Sequence, residues 1–445
     1  GAGASFIREW KIRGYKKELK AENSGQVNLE DLNYQTSALE LGFDTPDYVY
    51  LRDARGVLQA TPGGMKWTYE DQNIRMERSF SYAPDRPHVD VGIEVVFKAK
   101  PAAHAFVSLV STSKEGDPAE QDRQLLYWTD NEIKRFPVTS DVAIEASSGA
   151  ARWIGVASRY FVLALLPDPA SGAKAVIQPN GSRSGRVSLS VPVTGNHLKF
   201  AMKAFFGPKD LNLLRSVDPT LDHTVDFGIF TVIAYPILQA IKWIYQTAAN
   251  YGVAIILITL LLKIVTFPLT YKSMKSMKEM AKIQPQLQKV REKYANDREA
   301  LNREMLTLMR SHGYNPMAGC WPVLIQMPIF IALYSVLYGA VELYQAPFAF
   351  WIKDLSSQDP FYVTPVLLTI TMYFQQKMTP NTATDPMQAK MIQFMPLIFG
   401  AMMINLPSGL TLYMLVNALA TIVQQFFLNR KLGMPGRGVV VANAR

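Results

Sequence analysis

One apolar segment limits what this chain can fold into more than any other feature. Residues 251–271 form a run of 21 residues with a single charged side chain, that of Lys263. A helix of this length rises ~30 Å at ~1.5 Å per residue, which matches the thickness of the hydrocarbon core of a bilayer. The run therefore predicts a membrane-spanning helix.

Four further apolar runs follow and predict a membrane domain with five spans over residues 251–430. The predicted spans cover residues 251–271, 321–341, 361–376, 391–406 and 410–428. The third and fourth spans have 16 residues each. They correspond to ~24 Å of helix, which is short for an ordinary bilayer. We therefore expect a thinned bilayer or a polar vestibule beside these two spans.

The basic excess of the chain lies in the same apolar half. Residues 208–445 carry 21 Lys and Arg against 13 Asp and Glu, whereas residues 1–207 carry 25 against 24. Lys and Arg accumulate on the cytoplasmic side of membrane proteins. We therefore expect the basic segment 272–312 and the tail 431–445 in the cytoplasm, and residues 1–207 on the opposite side. A nucleic-acid-binding protein would instead carry its basic residues on a polar surface.

The first half of the chain has a different hydrophobic period. Short alternating segments such as Val91-Gly-Ile-Glu-Val-Val-Phe are separated by turn signals such as Thr61-Pro-Gly-Gly. Many short strands without helical periodicity predict an antiparallel β sandwich or barrel over residues 1–207. The histidines lack the spacing of metal ligands and no nucleophile motif occurs, so we assign no catalytic or metal site to this domain. The single cysteine, Cys320, excludes an internal disulfide.

The segment 208–250 links the two halves. Residues 227–247 are apolar but include Pro236, Gln239 and Lys242. This mixture is typical of an amphipathic helix that lies in the membrane interface, and a sixth span is the alternative. The chain begins without a methionine or an apolar export segment, so we also expect a preceding N-terminal anchor.

Polar side chains form stripes within the predicted spans. Lys263 shares one helix face with three threonines, and the last span carries polar residues at spacings of four, four and three. A charge inside a span is costly and by default marks a functional site. The alternative is that Lys263 reaches towards the cytoplasm. We predict a hydrophilic groove formed by Lys263, Thr259, Thr266, Thr270, Gln326, Gln375, Tyr413, Asn417, Thr421 and Gln424.

The segment 272–312 predicts two antiparallel helices joined at the Asn296-Asp297 turn. Their shared apolar seam would consist of Ile283, Leu287, Val290, Tyr294, Leu301, Met305 and Leu308. Their other faces are basic, which suits an acidic partner, ribosomal RNA or anionic lipid head groups. A simply solvated face is the alternative. The docking residues would be Lys275, Lys278, Lys282, Lys289, Arg291, Lys293, Arg298 and Arg303.

Six stretches in the second half carry a family resemblance. They read Phe267-Pro-Leu-Thr, Met280-Ala-Lys-Ile-Gln-Pro-Gln-Leu, Asn315-Pro-Met-Ala-Gly-Cys-Trp-Pro-Val-Leu-Ile-Gln-Met-Pro-Ile-Phe, Gln345-Ala-Pro-Phe, Asp385-Pro-Met-Gln and Leu406-Pro-Ser-Gly-Leu-Thr-Leu-Tyr. With them the chain resembles the YidC family of membrane protein insertases, in the Gram-negative form with a large periplasmic domain. The β half resembles that periplasmic domain by position and strand content.

The resemblance implies a mutarotase-like β supersandwich followed by a five-helix core in the inner membrane. The core would hold a hydrophilic groove that receives a client's polar segment while the apolar segment enters the bilayer. The family usually has an arginine at the position of Lys263, so the charge is kept but the paired guanidinium donors are not. Implied partners are nascent membrane protein clients, the Sec translocon, the signal recognition particle receptor, the ribosome with weak affinity, and anionic lipids. No cofactor or small-molecule substrate is expected.

Two other classes of function are weighed against an insertase. A secondary transporter or anion channel would use Lys263 to bind substrate, but the sequence has no clear internal repeat and no second charge within the spans. An exported enzyme with a membrane anchor needs only one span. No nucleotide-binding motif is present. We therefore predict an insertase that is not an enzyme.

Overall fold

The structure of the chain is a computed structural model. It describes residues 11–16, 26–28, 38–112, 123–138, 144–179, 184–294, 297–311, 316–378 and 386–432. The chain divides into two compact units, of which the first ends at Asp226 and the second begins at Phe227.

The first unit consists mainly of antiparallel β-strands. Those described are β1 (Lys11–Lys16), β2 (Gln26–Asn28), β3 (Ala38–Phe43), β4 (Val57–Thr61), β5 (Gly64–Glu70), β6 (Ile74–Tyr82), β7 (Val89–Phe97), β8 (His104–Thr112), β9 (Gln124–Thr129), β10 (Glu132–Pro137), β11 (Glu145–Ala150), β12 (Trp153–Ala157), β13 (Phe161–Pro167), β14 (Lys174–Pro179), β15 (Ser184–Pro192) and β16 (His197–Pro208).

Two large sheets pack face to face in this unit. Nine strands form one sheet in the order β10-β9-β12-β13-β16-β7-β6-β5-β4, and five form the other in the order β11-β14-β15-β8-β3. Strands β9 and β12 of the larger sheet lie against β8 and β15 of the smaller one. Alternate residues of β7, from Val91 to Phe97, are buried in the core, as the period of two predicts. The predicted β sandwich is confirmed.

A short helical segment covers part of the larger sheet. Helix α1 (Leu211–Val217) and the 3-10 helix Pro219–Thr224 add two buried leucines to a core cluster around Trp153. The indole nitrogen of Trp153 donates to Thr220 Oγ1 over 2.9 Å. Because this segment packs on the sheet, the compact unit extends to Asp226 and does not end at residue 207 as the sequence predicts.

The second unit is helical. Its described helices are α2 (Thr231–Ala248), α3 (Tyr251–Lys293), α4 (Arg298–Ser311), α5 (Pro316–Gly339), α6 (Val363–Met378), α7 (Pro386–Met403) and α8 (Ser408–Leu432). Helix α3 packs against α8, α2 and α5, while α6 packs between α8 and α7. Helices α3 and α5 to α8 overlap the five predicted spans, so an α-helical membrane domain follows the sandwich as predicted.

Several of these helices contain long apolar segments. Within the described residues, three segments are long and apolar enough to cross a membrane, namely 228–248, 251–276 and 408–430. In α5 and α7, the apolar stretches within the described side chains are residues 326–339 and 393–403. Helix α6 has 16 residues, the length that the sequence predicts for its span. The number of helices that cross the membrane therefore stays a prediction.

Helix α3 is longer than its predicted span. It has 43 residues, with Pro268 and Pro285 inside it, and it includes the first arm of the predicted hairpin. Asn250 caps its start, because the Asn250 side chain accepts a hydrogen bond from the backbone N–H of Val253 over 3.1 Å. The span and the hairpin arm are thus one continuous helix and not two.

Helix α2 is amphipathic within the unit. Its buried positions are Ala234, Ile237, Leu238 and Ile241. Their spacing of three and four places them on one helical face, which packs on α3 and α5. Lys242 on this helix forms an ion pair of 2.9 Å with Glu342 beyond the end of α5. Whether α2 lies in the interface or crosses the bilayer stays a prediction, since its length and composition satisfy both.

Candidate functional site

The charged side chain of Lys263 lies between α3 and α8. Its Nζ donates a hydrogen bond to Thr421 Oγ1 over 2.8 Å, and Thr421 in turn donates to the carbonyl of Asn417 over 2.7 Å. The amide nitrogen of Gln424 donates to the backbone carbonyl of Lys263 over 3.2 Å. No ion pair of Lys263 occurs among the described residues. Within the part of the chain that the structure describes, the lysine is therefore held by neutral groups.

A small cavity opens beside this lysine, between α3, α5 and α8. Its volume is about 10 Å³. A cavity of that size is near the minimum that holds one water molecule. Its lining residues are Thr259, Leu262, Lys263, Thr266, Gln326, Ile329, Tyr413 and Asn417.

The threonines of α3 present hydrogen-bond acceptors to their surroundings. Thr259 donates its hydroxyl proton to the carbonyl of Ile255 over 2.6 Å, and Thr266 donates to that of Leu262 over 2.8 Å. A hydroxyl that donates to its own helix keeps lone pairs for a second partner. The α3 side of the cavity therefore offers acceptors together with one cation.

The opposite side of the cavity is amphipathic. Tyr413 on α8 is 2% exposed and is hydrogen bonded to the side chain of Gln326 on α5. The ring of Phe330 lies 6.4 Å from that of Tyr413. The buried oxygen Gln424 Oε1 has no hydrogen-bond partner among the described residues. The site thus combines polar groups that can form further hydrogen bonds with apolar walls.

The structure brings together eight of the ten residues predicted for the groove. Six line the cavity, and Thr421 and Gln424 contact Lys263 directly. Thr270 does not line the cavity, and its hydroxyl donates to the carbonyl of Thr266 over 3.2 Å. Gln375 on α6 does not line it either. The sequence missed the apolar lining residues, because a leucine or isoleucine in an apolar helix carries no signal of its own.

A second polar cluster, which the sequence analysis missed, lies just before α6. The carboxylate of Asp359 is buried and accepts hydrogen bonds from the backbone and hydroxyl of Thr364 and from the indole nitrogen of Trp351, at 2.7 to 3.0 Å. Burial alone would raise the pKa of Asp359, but these hydrogen bonds outweigh it and lower the pKa. Thr364 also contacts the hydroxyl of Thr411 at 3.0 Å, which ties α6 to α8. An aspartate shortly before a helix is a capping signal that was available in the sequence.

The predicted hairpin packs through a narrow apolar seam. Ile283, Leu287 and Met309 are buried, with Met305 and Leu308 packed against them. Four of the seven predicted seam residues are therefore present in this cluster. Val290, Tyr294 and Leu301 are outside it, and Met309 takes part although it was not predicted.

The basic residues of the hairpin lie on its outer faces as far as the structure describes them. Lys275, Lys289, Lys293 and Arg303 are exposed, and Arg291 is half-buried. The side chains of Lys278, Lys282 and Arg298 lie outside the described ones. The Lys293 ammonium lies 5.0 Å from the ring centre of Tyr294. A docking role for these residues stays a prediction.

A β sandwich followed by apolar helices that enclose a half-buried lysine defines a protein with a large β domain and an α-helical membrane domain. The second unit matches a family model described as 60Kd inner membrane protein over residues 243–434, and residues 34–240 match one described as YidC periplasmic domain. The membrane protein insertase YidC of Citrifermentans bemidjiense is 34% identical over 442 residues, which cover 95% of this chain and 82% of that relative. The chain belongs to the YidC family.

Two further comparisons give the extent of the likeness. The membrane protein insertase YidC of Geobacter sulfurreducens is 44% identical over 287 residues, which cover 64% of this chain and 54% of that relative. The match thus spans about half the length of that protein. A crystal structure of an active YidC insertase with its first transmembrane domain resolved is 18% identical, covers 96% of this chain and 88% of that chain, and has a TM-score of 0.41.

Proposed function

We propose that this chain is a membrane protein insertase of the bacterial inner membrane. In this proposal the polar segment of a client enters the site beside Lys263, and its apolar segment then passes into the bilayer. The observation that carries the proposal is the cavity of hydroxyls, amides and one lysine between α3, α5 and α8. Relatives that carry the name membrane protein insertase support it.

The physical task is to lower the cost of moving polar groups through hydrocarbon. An amide or hydroxyl without a hydrogen bond costs ~2–7 kcal/mol in an apolar medium. The hydroxyl oxygens of α3 would accept hydrogen bonds from client N–H groups, and Lys263 and Gln326 would donate to client carbonyls and carboxylates. Helix α6, which has only 16 residues, would shorten the remaining apolar path.

The cavity must widen before it can hold a polypeptide. At about 10 Å³ it has room for no more than a solvent molecule. Helices α5 and α8 pack less extensively against each other than either packs against α3. Separation of α5 from α8 would therefore disturb the fewest contacts and would open the site towards lipid.

Release of the client needs no nucleotide in this mechanism. Burial of an apolar client segment in lipid contributes ~25 cal/mol per Å² of apolar surface. This gain grows as the segment leaves the site, whereas the attraction between Lys263 and an acidic client residue is local. Lys263 therefore acts as a transient attachment point and not as a catalytic residue.

The proposed topology follows from the distribution of basic residues. The hairpin formed by the end of α3 and by α4 would lie in the cytoplasm with the tail 431–445, and the β unit would lie in the periplasm. The exposed basic side chains of the hairpin would then face ribosomes that carry nascent clients, the signal recognition particle receptor and anionic lipids. The Sec translocon is a further proposed partner.

Insertion into liposomes that contain this chain as their only protein tests the proposal. A single-span client is synthesised in their presence, and protease is then added outside. We expect protection of the client's translocated end, in proportion to the amount of chain present. Liposomes with a folded chain that give no protection would contradict the insertase. Anion flux through the same liposomes without insertion would favour a channel or transporter instead.

A further inference from the structure

Within the described residues, the two large sheets end in four edge strands, and three of these are protected against pairing. Strand β10 carries three charged residues and ends in Pro137. Strands β11 and β3 each contain a register shift, and the first four residues of β3 are buried. Charges, prolines and irregular register are the usual means by which sheet edges avoid further strands.

Strand β4 has none of these protections. Its five residues read Val-Leu-Gln-Ala-Thr, and every one of them is exposed. Its register with β5 is continuous from Val57 to Thr61, and β5 is its only strand partner within the described residues. An exposed, uncharged and regular edge strand is a ready site for β-strand addition.

The register shows which backbone groups of β4 are unpaired. The two-residue turn between Thr61 and Gly64 makes these residues a hydrogen-bonded pair, so Gln59 and Val57 also direct their backbone groups to β5. The carbonyl of Gly63 accepts a hydrogen bond from the backbone N–H of Tyr82 on β6 over 3.0 Å. Gly63 therefore faces β6, and the next residue, Gly64, faces β4, as the alternation requires. The N–H and C=O groups of Leu58 and Ala60 therefore point away from the sheet.

We propose that β4 pairs antiparallel with β4 of a second copy of this chain, about a two-fold axis at Gln59. In this register Leu58 of each copy lies opposite Ala60 of the other, and the two residues exchange both backbone hydrogen bonds. Four hydrogen bonds form in all. The two nine-stranded sheets become one continuous sheet across the axis.

The side chains of β4 fit this arrangement. A large residue, Leu58, meets a small one, Ala60, and the β-branched Val57 meets the β-branched Thr61. Gln59 meets its own copy, and no like charges face each other. Met65, which is 48% exposed, is the partner of Ala60 on β5 and extends the apolar strip on the Leu58 face. A symmetric contact of this kind uses the same patch on both copies.

The contact is small, so it is expected to be reversible. A five-residue strand buries much less than the ~1,600 Å² of a standard stable interface. Pairing should therefore depend on the density of the chain in the membrane, where lateral confinement raises its effective concentration.

Disulfide cross-linking in liposomes tests both the partner and the register. Replacing the only cysteine by serine, C320S, gives a background without native thiols. In the proposed register the two copies of Gln59 form a non-hydrogen-bonded pair with Cα atoms ~4.5 Å apart, which a disulfide can bridge. We expect the Gln59→Cys chain to form a dimer on mild oxidation, and the dimer to increase with chain density.

Two neighbouring positions provide matched controls. Two copies of Val57 would lie four residues apart along the strands, or ~13 Å, which is too far for a disulfide. Val57→Cys alone and Thr61→Cys alone should therefore give at least ~10-fold less dimer than Gln59→Cys. A mixture of these two chains should cross-link, because Val57 of one copy faces Thr61 of the other.

A proline substitution separates strand pairing from random collision. Ala60→Pro removes an outward N–H and leaves the bonds to β5 in place, since Ala60 donates none of them. In the Gln59→Cys background it should abolish the dimer while client insertion stays at the level of the parent chain. Equal cross-linking at positions 57, 59 and 61 would overturn the proposal. So would the absence of cross-linking at all three, which would mean that another segment or protein covers β4.

Discussion

The β unit and the helical unit hold a basic side chain in opposite ways. Arg152 of the β unit meets the carboxylate of Asp218 through two nitrogen atoms, at 2.9 to 3.1 Å. Lys263 of the helical unit meets the neutral hydroxyl of Thr421 at 2.8 Å. The first cation already has its counter-ion, whereas the second can still attract one. A paired cation of this kind can add only modestly to stability, whereas a cation without a counter-ion is free to take part in the client binding that we propose.

The largest expected effect is on the stability of the β unit. Trp153→Ala removes a fully buried indole and its hydrogen bond to Thr220, so it should lower the free energy of unfolding by ~3–5 kcal/mol. Limited proteolysis of the full chain during heating measures this loss. Trp153→Phe, which keeps most of the apolar volume, should lose ~1 kcal/mol. Equal losses for both variants would show that the hydrogen bond and not the packing dominates.

The next effect is on function without a loss of stability. Lys263→Leu should reduce insertion of a client with an acidic tail ~10-fold, which corresponds to ~1.4 kcal/mol. The thermal stability of the helical unit should stay the same or rise, because a half-buried charge without a counter-ion among the described residues is removed. Lys263→Arg should keep most of the activity. Thr270→Val, on the same helix but outside the cavity, is the matched control. If the Lys263→Leu chain inserted this client at the parental rate, the proposed role of the charge would be wrong.

The smallest expected effect depends on pH and concerns the ion pair between Arg152 and Asp218 of the β unit. Burial alone would raise the pKa of Asp218, but hydrogen bonds from Arg152 and Thr220 outweigh it and hold the pKa below the ordinary 3.8. The paired carboxylate therefore stabilises the fold above pH 3.8, and this contribution is lost as the pH falls through the lower folded-state pKa. Asp218→Asn should lower the melting temperature by ~2–4 °C at pH 7, and this difference should shrink as the pH is lowered below 3.8. A difference in melting temperature that stays constant as the pH falls would mean that shape and not charge matters at this position.

The sequence predicted the elements of both units because their periods are strong. The alternation in β7 and the apolar length of residues 251–271 each follow from one strand or one helix alone. The segment from α1 to Thr224 was missed because short helices lack a clear period and gain their stability from packing on the sheet. The continuity of α3 was missed because its composition changes from apolar to basic at residue 272, while its backbone does not change.

The candidate site was predictable as a set of helix faces but not as a cavity. Spacing along α3 and α8 correctly grouped Lys263 with Thr259, Thr266 and the polar stripe of the last helix. The spacing of residues does not show how far along the helix the cavity extends. The prediction therefore also included Thr270, which lies one turn beyond the cavity. The bond from Lys263 to Thr421 joins residues 158 positions apart, and only the packing of α3 on α8 determines it.

Because α3 is one continuous helix, a movement of its hairpin end can be passed on to Lys263. Twenty residues separate Lys263 from Ile283 in the hairpin seam, which corresponds to ~30 Å along one helix. A partner that tilts the hairpin would therefore displace the lysine directly, without a loop in which the movement could be absorbed. Pro268 lies between the two points and lacks a backbone N–H, so the helix bends most easily there, and such a bend would absorb part of the movement. The rest of the movement would reach Lys263 as a rotation of the helix.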